Sequence, residues 1–136
     1  MSPPQPIADD SKFGAALTDL GVHAGLLTEV QRTALDRDGY AMFPGLIDSG
    51  WLTELRTTFD SLAEREGGSA GHEVHQEAGT RRLSDLVNKS PAFDRLYTHP
   101  TLLAAIHHVL RRPFKLSSLN ARDVLAGHGL QGLHAD

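Results

Sequence analysis

The chain has 136 residues, which suits one domain or part of one and is too short for two independent cores. Its net charge of −4 gives no field that would recruit polyanions, so nucleic acid is not expected as a partner. The absence of cysteine excludes disulfides and thiolate chemistry and leaves eight histidines and the carboxylates as metal ligands. No apolar run approaches the ~18 residues of a membrane span, so we expect a cytoplasmic protein without a membrane partner.

Most of the chain before residue 112 carries helical patterns. Residues 1–10 include three prolines and little apolar surface, so we expect a flexible leader there. Apolar residues recur at intervals of three and four from Leu52 to Leu62, which predicts a helix that begins after Asp48 as N-cap and ends at Gly67-Gly68. A short edge strand is predicted at Tyr40–Phe43. Further helices are predicted over 11–20, 28–38, 91–98 and 101–111, and a loop is predicted over 67–80.

The last part of the chain changes to an alternating pattern. From Phe114 to Leu125, polar residues that include Asn120 and Arg122 fall on one face, which predicts a strand. Gly127-His128-Gly129 predicts a turn into a last strand at Leu130–Asp136. Helices come first and strands last, so the predicted fold class is α+β. We expect one domain over 11–136, with a helical part at 11–112 and the first core strands at 113–136.

His134 and Asp136 flank a small alanine in the last predicted strand. Side chains at i and i+2 of a strand point to the same face, so this pair can bind one metal ion from one side. A His, an Asp and a further His form the facial triad of non-haem Fe(II) oxygenases, which leaves coordination positions open for substrates. Taken alone, the spacing fits a solvated His and Asp equally well, and both interpretations stay open.

Several segments occur together in an informative order. Leu27-Thr28-Glu29, Asp38-Gly39-Tyr40 and Phe43-Pro44-Gly45-Leu46 come first, and Gly-Leu-Gln-Gly-Leu-His-Ala-Asp at 129–136 comes last. Over residues 26–136 the chain resembles the phytanoyl-CoA dioxygenase family of Fe(II)- and 2-oxoglutarate-dependent oxygenases. The resemblance implies that N-terminal helices precede the first strands of a double-stranded β-helix, a relative of the jelly roll.

The resemblance also implies a site and a reaction. His134 and Asp136 match the first two iron ligands, and Asn120, Arg122 and Gln131 lie where the family places groups that face cosubstrate or substrate. The implied cofactor is Fe(II), with 2-oxoglutarate as cosubstrate and with O₂ and a small molecule as partners. Halogenating relatives replace the acid by a small residue, so the retained Asp136 implies hydroxylation. Surface or cross-strand hydrogen bonding remains the alternative for Asn120 and Arg122.

The chain departs from the family at its C-terminal end. The later histidine that completes the triad and the arginine that binds the distal carboxylate of 2-oxoglutarate have no counterpart in it, and half of the barrel is absent. We therefore expect the N-terminal half of a longer enzyme, inactive by itself, because two ligands hold iron more weakly than three. Open strand edges would pair with other chains, so a homo-oligomer is a further expectation.

Two other functions stay open on the sequence. A non-catalytic binding or oligomerisation module would keep the fold and pair its strand edges without the reaction. A small histidine-rich zinc protein would use the remaining histidines. Arg81-Arg82 after the glycine-rich loop would steer an acidic substrate, although a solvated charge pair is the simpler interpretation.

The other histidines give weaker signals. His72 and His75 are one residue short of the spacing that puts two ligands on one helical face. His107 and His108 are consecutive on a predicted helix and point about 100° apart, so both cannot face one ion. His128 lies between two glycines, where loop exposure is the simpler interpretation.

Overall fold

The computed structural model describes residues 10–133. It is 53% helical, and its described strands form one two-stranded antiparallel sheet, which confirms the α+β class. The expectations for the leader at 1–9 and for His134 and Asp136 concern residues outside the described range. None of the helices within residues 10–133 is long and apolar enough to cross a membrane.

Short helices and 3₁₀ turns separate the longer elements of the described chain. In chain order the elements are α1 (Asp10–Asp19), a 3₁₀ turn (Ala24–Leu26), α2 (Glu29–Asp38), α3 (Ser49–Glu66), a 3₁₀ turn (Gly67–Ser69), β1 (Thr80–Leu83), α4 (Leu86–Lys89), a 3₁₀ turn (Pro91–Phe93), α5 (Asp94–Thr98), α6 (Pro100–Leu110) and β2 (Ala121–Val124). The chain divides into two compact units. Within the described residues, the first unit covers 10–46 and 95–116, and the second covers 47–94 and 117–133.

Apolar packing between helices holds the first unit together. Leu27, Ala104 and Ala105 are buried in its core. Because alanine carries nothing beyond Cβ, α6 packs closely against α2 and the 3₁₀ turn that precedes it. Four partly buried residues complete this core: Val22, Leu26, Leu35 and Phe43.

Local signals begin and end the helices of the first unit. Thr28 Oγ1 accepts the N–H of Gln31 at 3.2 Å and Gln31 Oε1 accepts the N–H of Thr28 at 2.9 Å, which is a complete capping box. Gly39, with φ of 78°, ends α2 in the left-handed conformation. Pro100 occupies the first turn of α6, where its missing N–H costs no hydrogen bond. The predicted helices over 11–20, 28–38 and 101–111 are confirmed to within two residues.

The second unit is built around α3 and the small sheet. Asp48 caps α3, since its Oδ1 accepts the N–H of Trp51 at 2.8 Å, and this confirms the predicted helix. Trp51 is 2% exposed and belongs to the core. The other large core residues of this unit are Leu62, Leu83, Leu86 and Phe93, each at most 3% exposed.

β1 and β2 pair in antiparallel register. Thr80 lies opposite Val124 and Leu83 opposite Ala121, which brings Arg81 opposite Asp123 and Arg82 opposite Arg122. β1 was not predicted and lies inside the part expected to be helical. Its sequence, Thr-Arg-Arg-Leu, has no alternation, so only pairing with β2 makes it a strand.

The strand predictions were partly wrong. The strand predicted over Phe114–Leu125 is limited to its last part, Ala121–Val124, because β1 offers only four residues for pairing. Tyr40–Phe43 is not a strand, since the two strands of the described residues pair only with each other. Leu130–Leu133 is not a strand either, and the exposed Leu130 and Leu133 side chains give it no buried face. The predicted turn at 127–129 is confirmed, with positive φ at both glycines.

Candidate functional site

Three of the five predicted site residues can be located. His134 and Asp136 lie outside the described residues, so the ligand pair stays a prediction. Asn120 immediately precedes β2, Arg122 lies within β2, and Gln131 follows the turn after β2. In the structure, Arg122 and Gln131 share one hydrogen-bond partner.

That partner is Glu77, which no sequence pattern singled out. Arg122 Nε donates to Glu77 Oε2 at 2.6 Å, and Gln131 Nε2 donates to Glu77 Oε1 at 2.7 Å. Asn120 takes no part in this contact, since its Oδ1 accepts the backbone N–H of Asp85 at 3.3 Å. One carboxylate thus joins β2 to the segment that precedes the predicted metal ligands.

His75 and Arg82 complete the group. His75 Nε2 lies 3.0 Å from Glu77 Oε1 and 3.0 Å from Arg82 Nη1. A protonated Nε2 donates to Glu77, whereas an unprotonated Nε2 accepts from Arg82, so one atom serves either neighbour. Arg82 Nη1 is also 3.7 Å from Glu77 Oε1. We call Glu77, His75, Arg82, Arg122 and Gln131 the Glu77 cluster.

The electrostatics of the Glu77 cluster favour an anionic ligand. Hydrogen bonds from His75, Gln131 and Arg122 lower the pKa of Glu77 to about 2, so the carboxylate stays ionised. Its single negative charge faces the guanidinium groups of Arg82 and Arg122, which leaves one positive charge in surplus. Arg82 Nε is buried and has no hydrogen-bond partner among the described residues. A buried donor without an acceptor is costly, so this arrangement of the Arg82 side chain has an energetic penalty.

Two glycines allow the chain after β2 to fold back onto the sheet. The N–H of Leu125 donates to Gly79 O at 3.0 Å, and Arg122 Nη2 donates to Gly129 O at 2.7 Å. Gly79 has φ of 71°, and a Cβ there would overlap the ring of His128. The exposed His128 therefore packs on the backbone of Gly79, and only glycine fits beneath it.

A cavity of about 480 Å³ lies beside the Glu77 cluster. Its lining includes the charged residues Glu77, Arg81 and Arg82 and the glycines Gly67 and Gly68, which follow α3. The other side chains that line it are Ala63, Ala70, Gln76, Ala78 and Thr80. The cavity is large enough for a small organic acid, and the guanidinium-bearing side chains of Arg81 and Arg82 contribute to its lining.

Arg81 points to different partners from its neighbour Arg82. Its Nη2 donates to Asp123 Oδ2 at 2.5 Å, its Nη1 donates to Asp60 Oδ1 at 2.8 Å, and its guanidinium lies 5.1 Å from the centre of the Phe59 ring. These bonds to Asp123 and Asp60 raise the pKa of Arg81 above its ordinary value. Arg81 ties β1 to β2 and α3, so of the Arg81-Arg82 pair only Arg82 belongs to the Glu77 cluster.

A second carboxylate on the same loop has a separate set of partners. Glu73 accepts from the buried Ser84 hydroxyl at 2.6 Å and from Lys89 Nζ at 3.3 Å. The hydrogen bonds from Ser84, from its own backbone N–H and from Lys89 lower the pKa of Glu73 to about 2. Partial burial lowers the pKa of Lys89, but its bonds to Glu66 and Glu73 outweigh that effect and raise it overall. Glu73 therefore holds its loop, residues 70–79, to Ser84 and Lys89 and makes no contact with the Glu77 cluster.

The described histidines do not form a metal centre. Among residues 10–133, no group of three or more His, Asp or Glu side chains is placed to hold a metal ion. His108 Nε2 lies 2.9 Å from Asp36 Oδ1, whereas the ring of His107 lies 6.0 Å from that of Phe13, so these consecutive residues have different partners. His72 is exposed.

Comparisons of the chain with protein-family models, curated proteins and solved structures returned no match. Function is therefore inferred from the sequence pattern together with the contacts of the Glu77 cluster. No signal in the sequence pointed to Glu77, because its partners Arg122 and Gln131 are more than 40 positions away along the chain. His75 was considered only with His72 as a possible metal pair, whereas its contacts in the structure are with Glu77 and Arg82.

Proposed function

We propose that this chain is part of an Fe(II)- and 2-oxoglutarate-dependent dioxygenase that hydroxylates a small molecule. The observation that carries the proposal is the convergence of Arg122 and Gln131 on Glu77. Both residues match positions that face cosubstrate or substrate in the phytanoyl-CoA dioxygenase family, and Gln131 precedes His134 by only three residues. In this proposal β1 and β2 belong to the first strands of a double-stranded β-helix.

The chemistry of the donors fits the two groups that the reaction needs. 2-Oxoglutarate is a dicarboxylate, and the Glu77 cluster offers a surplus positive charge from the guanidinium groups of Arg82 and Arg122. A histidine nitrogen and an aspartate oxygen are ligands that Fe(II) accepts, so His134 and Asp136 would hold the metal. The resemblance implies that a later histidine supplies the third ligand of the triad.

The residues of this chain would mainly bind and orient. Bound iron, together with 2-oxoglutarate and O₂, supplies the oxidising power for hydroxylation of a C–H bond. Arg82 and Arg122 would fix a carboxylate by charge-assisted hydrogen bonds, which sets the orientation of the cosubstrate. Residues 125–131, which fold back onto the sheet at Gly79 and Gly129, would limit the access of water to that side of the site.

An anaerobic titration tests this proposal. The natural full-length protein that contains this chain is titrated with Fe(II) and then with 2-oxoglutarate while the charge-transfer absorbance is followed. We expect a band in the wild type and in His72→Ala, and no band in His134→Ala or Asp136→Ala. A wild type without the band, or a band that survives both ligand substitutions, would overturn the proposal.

The intact mass of the natural protein tests the second part of the proposal, that the chain is the N-terminal half of an enzyme. We expect a mass well above 14.7 kDa in any protein that turns over 2-oxoglutarate. Full turnover by a protein of 14.7 kDa would contradict this part.

One observation favours a second candidate, a non-catalytic module that associates through its sheet. Two-stranded sheets are marginally stable alone, and the described sheet has two strands with the fully exposed Leu130 and Leu133 close behind. This candidate predicts a stable oligomer in size-exclusion chromatography with light scattering. It also predicts no thermal stabilisation by Fe(II) with 2-oxoglutarate, whereas the dioxygenase requires that stabilisation.

A further inference from the structure

Glu77 connects side chains from three separate segments of the second unit. Its Oε2 accepts from Arg122 in β2 and its Oε1 from Gln131 beyond β2, while Arg82 in β1 lies within ion-pair distance. The carboxylate is 18% exposed and is therefore largely enclosed by these partners. It is neither a predicted metal ligand nor part of the family pattern that led to the proposed function.

We propose that Glu77 is a positioning residue, which holds the guanidinium of Arg122 and the amide of Gln131 in the orientation that receives the carboxylate of an anionic ligand. The identity of that ligand, 2-oxoglutarate, rests on the proposed function. The role of Glu77 itself rests on its contacts with Arg122, Gln131 and Arg82.

The partners of Glu77 require a carboxylate. Arg122 and Gln131 donate N–H groups to it and the Arg82 guanidinium lies 3.7 Å away, and a carboxylate accepts at both oxygens without offering a competing donor. A glutamine of the same shape would direct its own NH₂ at one of these donors and would orient only one partner. The two oxygens of Glu77 therefore fix the orientations of the Arg122 guanidinium and the Gln131 amide at the same time.

The register of the sheet explains why a negative charge is needed at Glu77. Arg82 and Arg122 lie directly opposite each other in β1 and β2, and like charges in that position repel. Glu77 relieves the repulsion because it reaches both guanidinium groups, at 3.7 Å and 2.6 Å. One carboxylate does not neutralise two guanidinium groups, so the pair keeps the charge that attracts a ligand.

The opposite interpretation makes the opposite prediction. Glu77 would then occupy the ligand position itself, as an internal carboxylate that the ligand has to displace. Removal of Glu77 would strengthen ligand binding in that case, whereas removal of a positioning residue weakens it. The sign of the change in affinity separates the two interpretations.

The first experiment measures ligand affinity in the natural full-length protein. Calorimetric titration gives the Kd of 2-oxoglutarate with Fe(II) present and the Kd of Fe(II) alone for Glu77→Gln, Glu77→Ala and Glu73→Gln. We expect both Glu77 variants to raise the Kd of 2-oxoglutarate about tenfold or more, with the Kd of Fe(II) changed less than about twofold. Glu73→Gln removes the same charge from the same loop and should leave both constants unchanged. An unchanged or lower Kd of 2-oxoglutarate in the Glu77 variants would overturn the proposal.

The second experiment needs no ligand. Urea unfolding is measured for Arg122→Gln in the wild type and in the Glu77→Gln background, as a double-mutant cycle. We expect Arg122→Gln to destabilise the wild type, where it removes the contact with Glu77. We expect a clearly smaller loss in Glu77→Gln, because the loss of the Arg122 bond to Gly129 O, which is common to both backgrounds, is offset there by the removal of an unrelieved repulsion with Arg82. Equal changes in unfolding free energy in the two backgrounds would overturn the proposal.

The two experiments distinguish a failure of the proposed function from a failure of this inference. A wild type that binds no 2-oxoglutarate would end the dioxygenase proposal, and the unfolding cycle would still decide whether Glu77 holds Arg122. A wild type that binds 2-oxoglutarate with the same affinity as Glu77→Ala would end the positioning role alone.

Discussion

The two compact units are stabilised by different kinds of interaction. The first has a core of small and aliphatic residues between helices, with Leu27, Ala104 and Ala105 at its centre. The second adds to its core a set of ionic contacts around Glu77, Glu73 and Arg81, of which Glu77 is the more enclosed carboxylate, with 18% of its side chain exposed against 51% for Glu73. Polar groups that are enclosed and paired fix geometry more strictly than aliphatic packing does, which is what a binding site requires.

In both units, some polar contacts are local in sequence and others join residues that are far apart. In the first unit, the capping bonds of Thr28 join residues three positions apart, although His108 and Asp36 are 72 positions apart. In the second unit, the bonds of Glu77 to Arg122 and Gln131 span 45 and 54 positions. Local sequence patterns report the first kind of bond and cannot report the second.

The largest expected effect of a single substitution is at Gly79 in the second unit. Gly79→Ala adds a Cβ that would overlap the His128 ring, at a residue with φ of 71°. Steric overlap and left-handed strain together are expected to cost about 3 kcal/mol of unfolding free energy or more. Urea denaturation followed by circular dichroism measures this cost.

Gly127→Ala is the matched control, because Gly127 has φ of 80° and nothing within 4 Å of its Cβ position. It should cost only the conformational term of about 1–2 kcal/mol. Equal losses in the two variants would contradict the packing of His128 on Gly79.

The corresponding test in the first unit is Leu27→Ala. Leu27 is 5% exposed in the core, so its truncation is expected to cost about 2–3 kcal/mol in the same assay. Leu20→Ala removes the same atoms from a residue that is 42% exposed and should cost about 0.5 kcal/mol or less. Similar losses at the two leucines would show that Leu27 does not lie in the core.

The contrast between the units also explains how much the sequence could predict. The helices of the first unit and α3 carry their own stripes and caps, such as Thr28 with Gln31, so their positions were predicted to within two residues. β1 has no such pattern, because Thr80–Leu83 is defined by its pairing with residues about 40 positions later. Of the site, Arg122 and Gln131 were predicted by resemblance, whereas Glu77 and His75 gain their partners only when the chain folds.

The acid dependence of stability probes the ionic contacts of the second unit. The pKa of Glu77 is lowered from 4.5 to about 2 in the folded protein. Between these pH values the Glu77 side chain is protonated in the unfolded chain but ionised in the folded protein. The contribution of Glu77 to the free energy of unfolding is therefore lost as the pH falls from 4.5 to 2. Glu77→Gln should therefore have a lower free energy of unfolding than the wild type at pH 7. The difference between the two free energies should shrink towards zero as the pH approaches 2. Because water reaches the carboxylate, we expect a smaller loss at pH 7 than for Leu27→Ala.

Unfolding curves at several pH values measure this closing difference. Glu73→Gln should show the same pH dependence, since the pKa of Glu73 is also lowered to about 2. A variant that combines Glu73→Gln with Glu77→Gln should lose the sum of the two contributions to the free energy of unfolding, because the two carboxylates have no partner in common among the described residues. A difference between wild type and Glu77→Gln that is constant from pH 7 to pH 2 would contradict an ionised Glu77 in the folded state.

The smallest expected effect lies at the start of α2, where the interaction is local and exposed. Thr28→Ala removes the acceptor for the N–H of Gln31 and should cost about 1 kcal/mol. Thr28→Ser keeps the hydroxyl and should recover most of that loss in the same denaturation assay. A cap acts on its own helix and reaches no residue of the Glu77 cluster, so Thr28→Ala should leave the affinity for 2-oxoglutarate unchanged. A change in that affinity would mean that the separation of locally stabilised helices from the ligand-binding contacts is wrong.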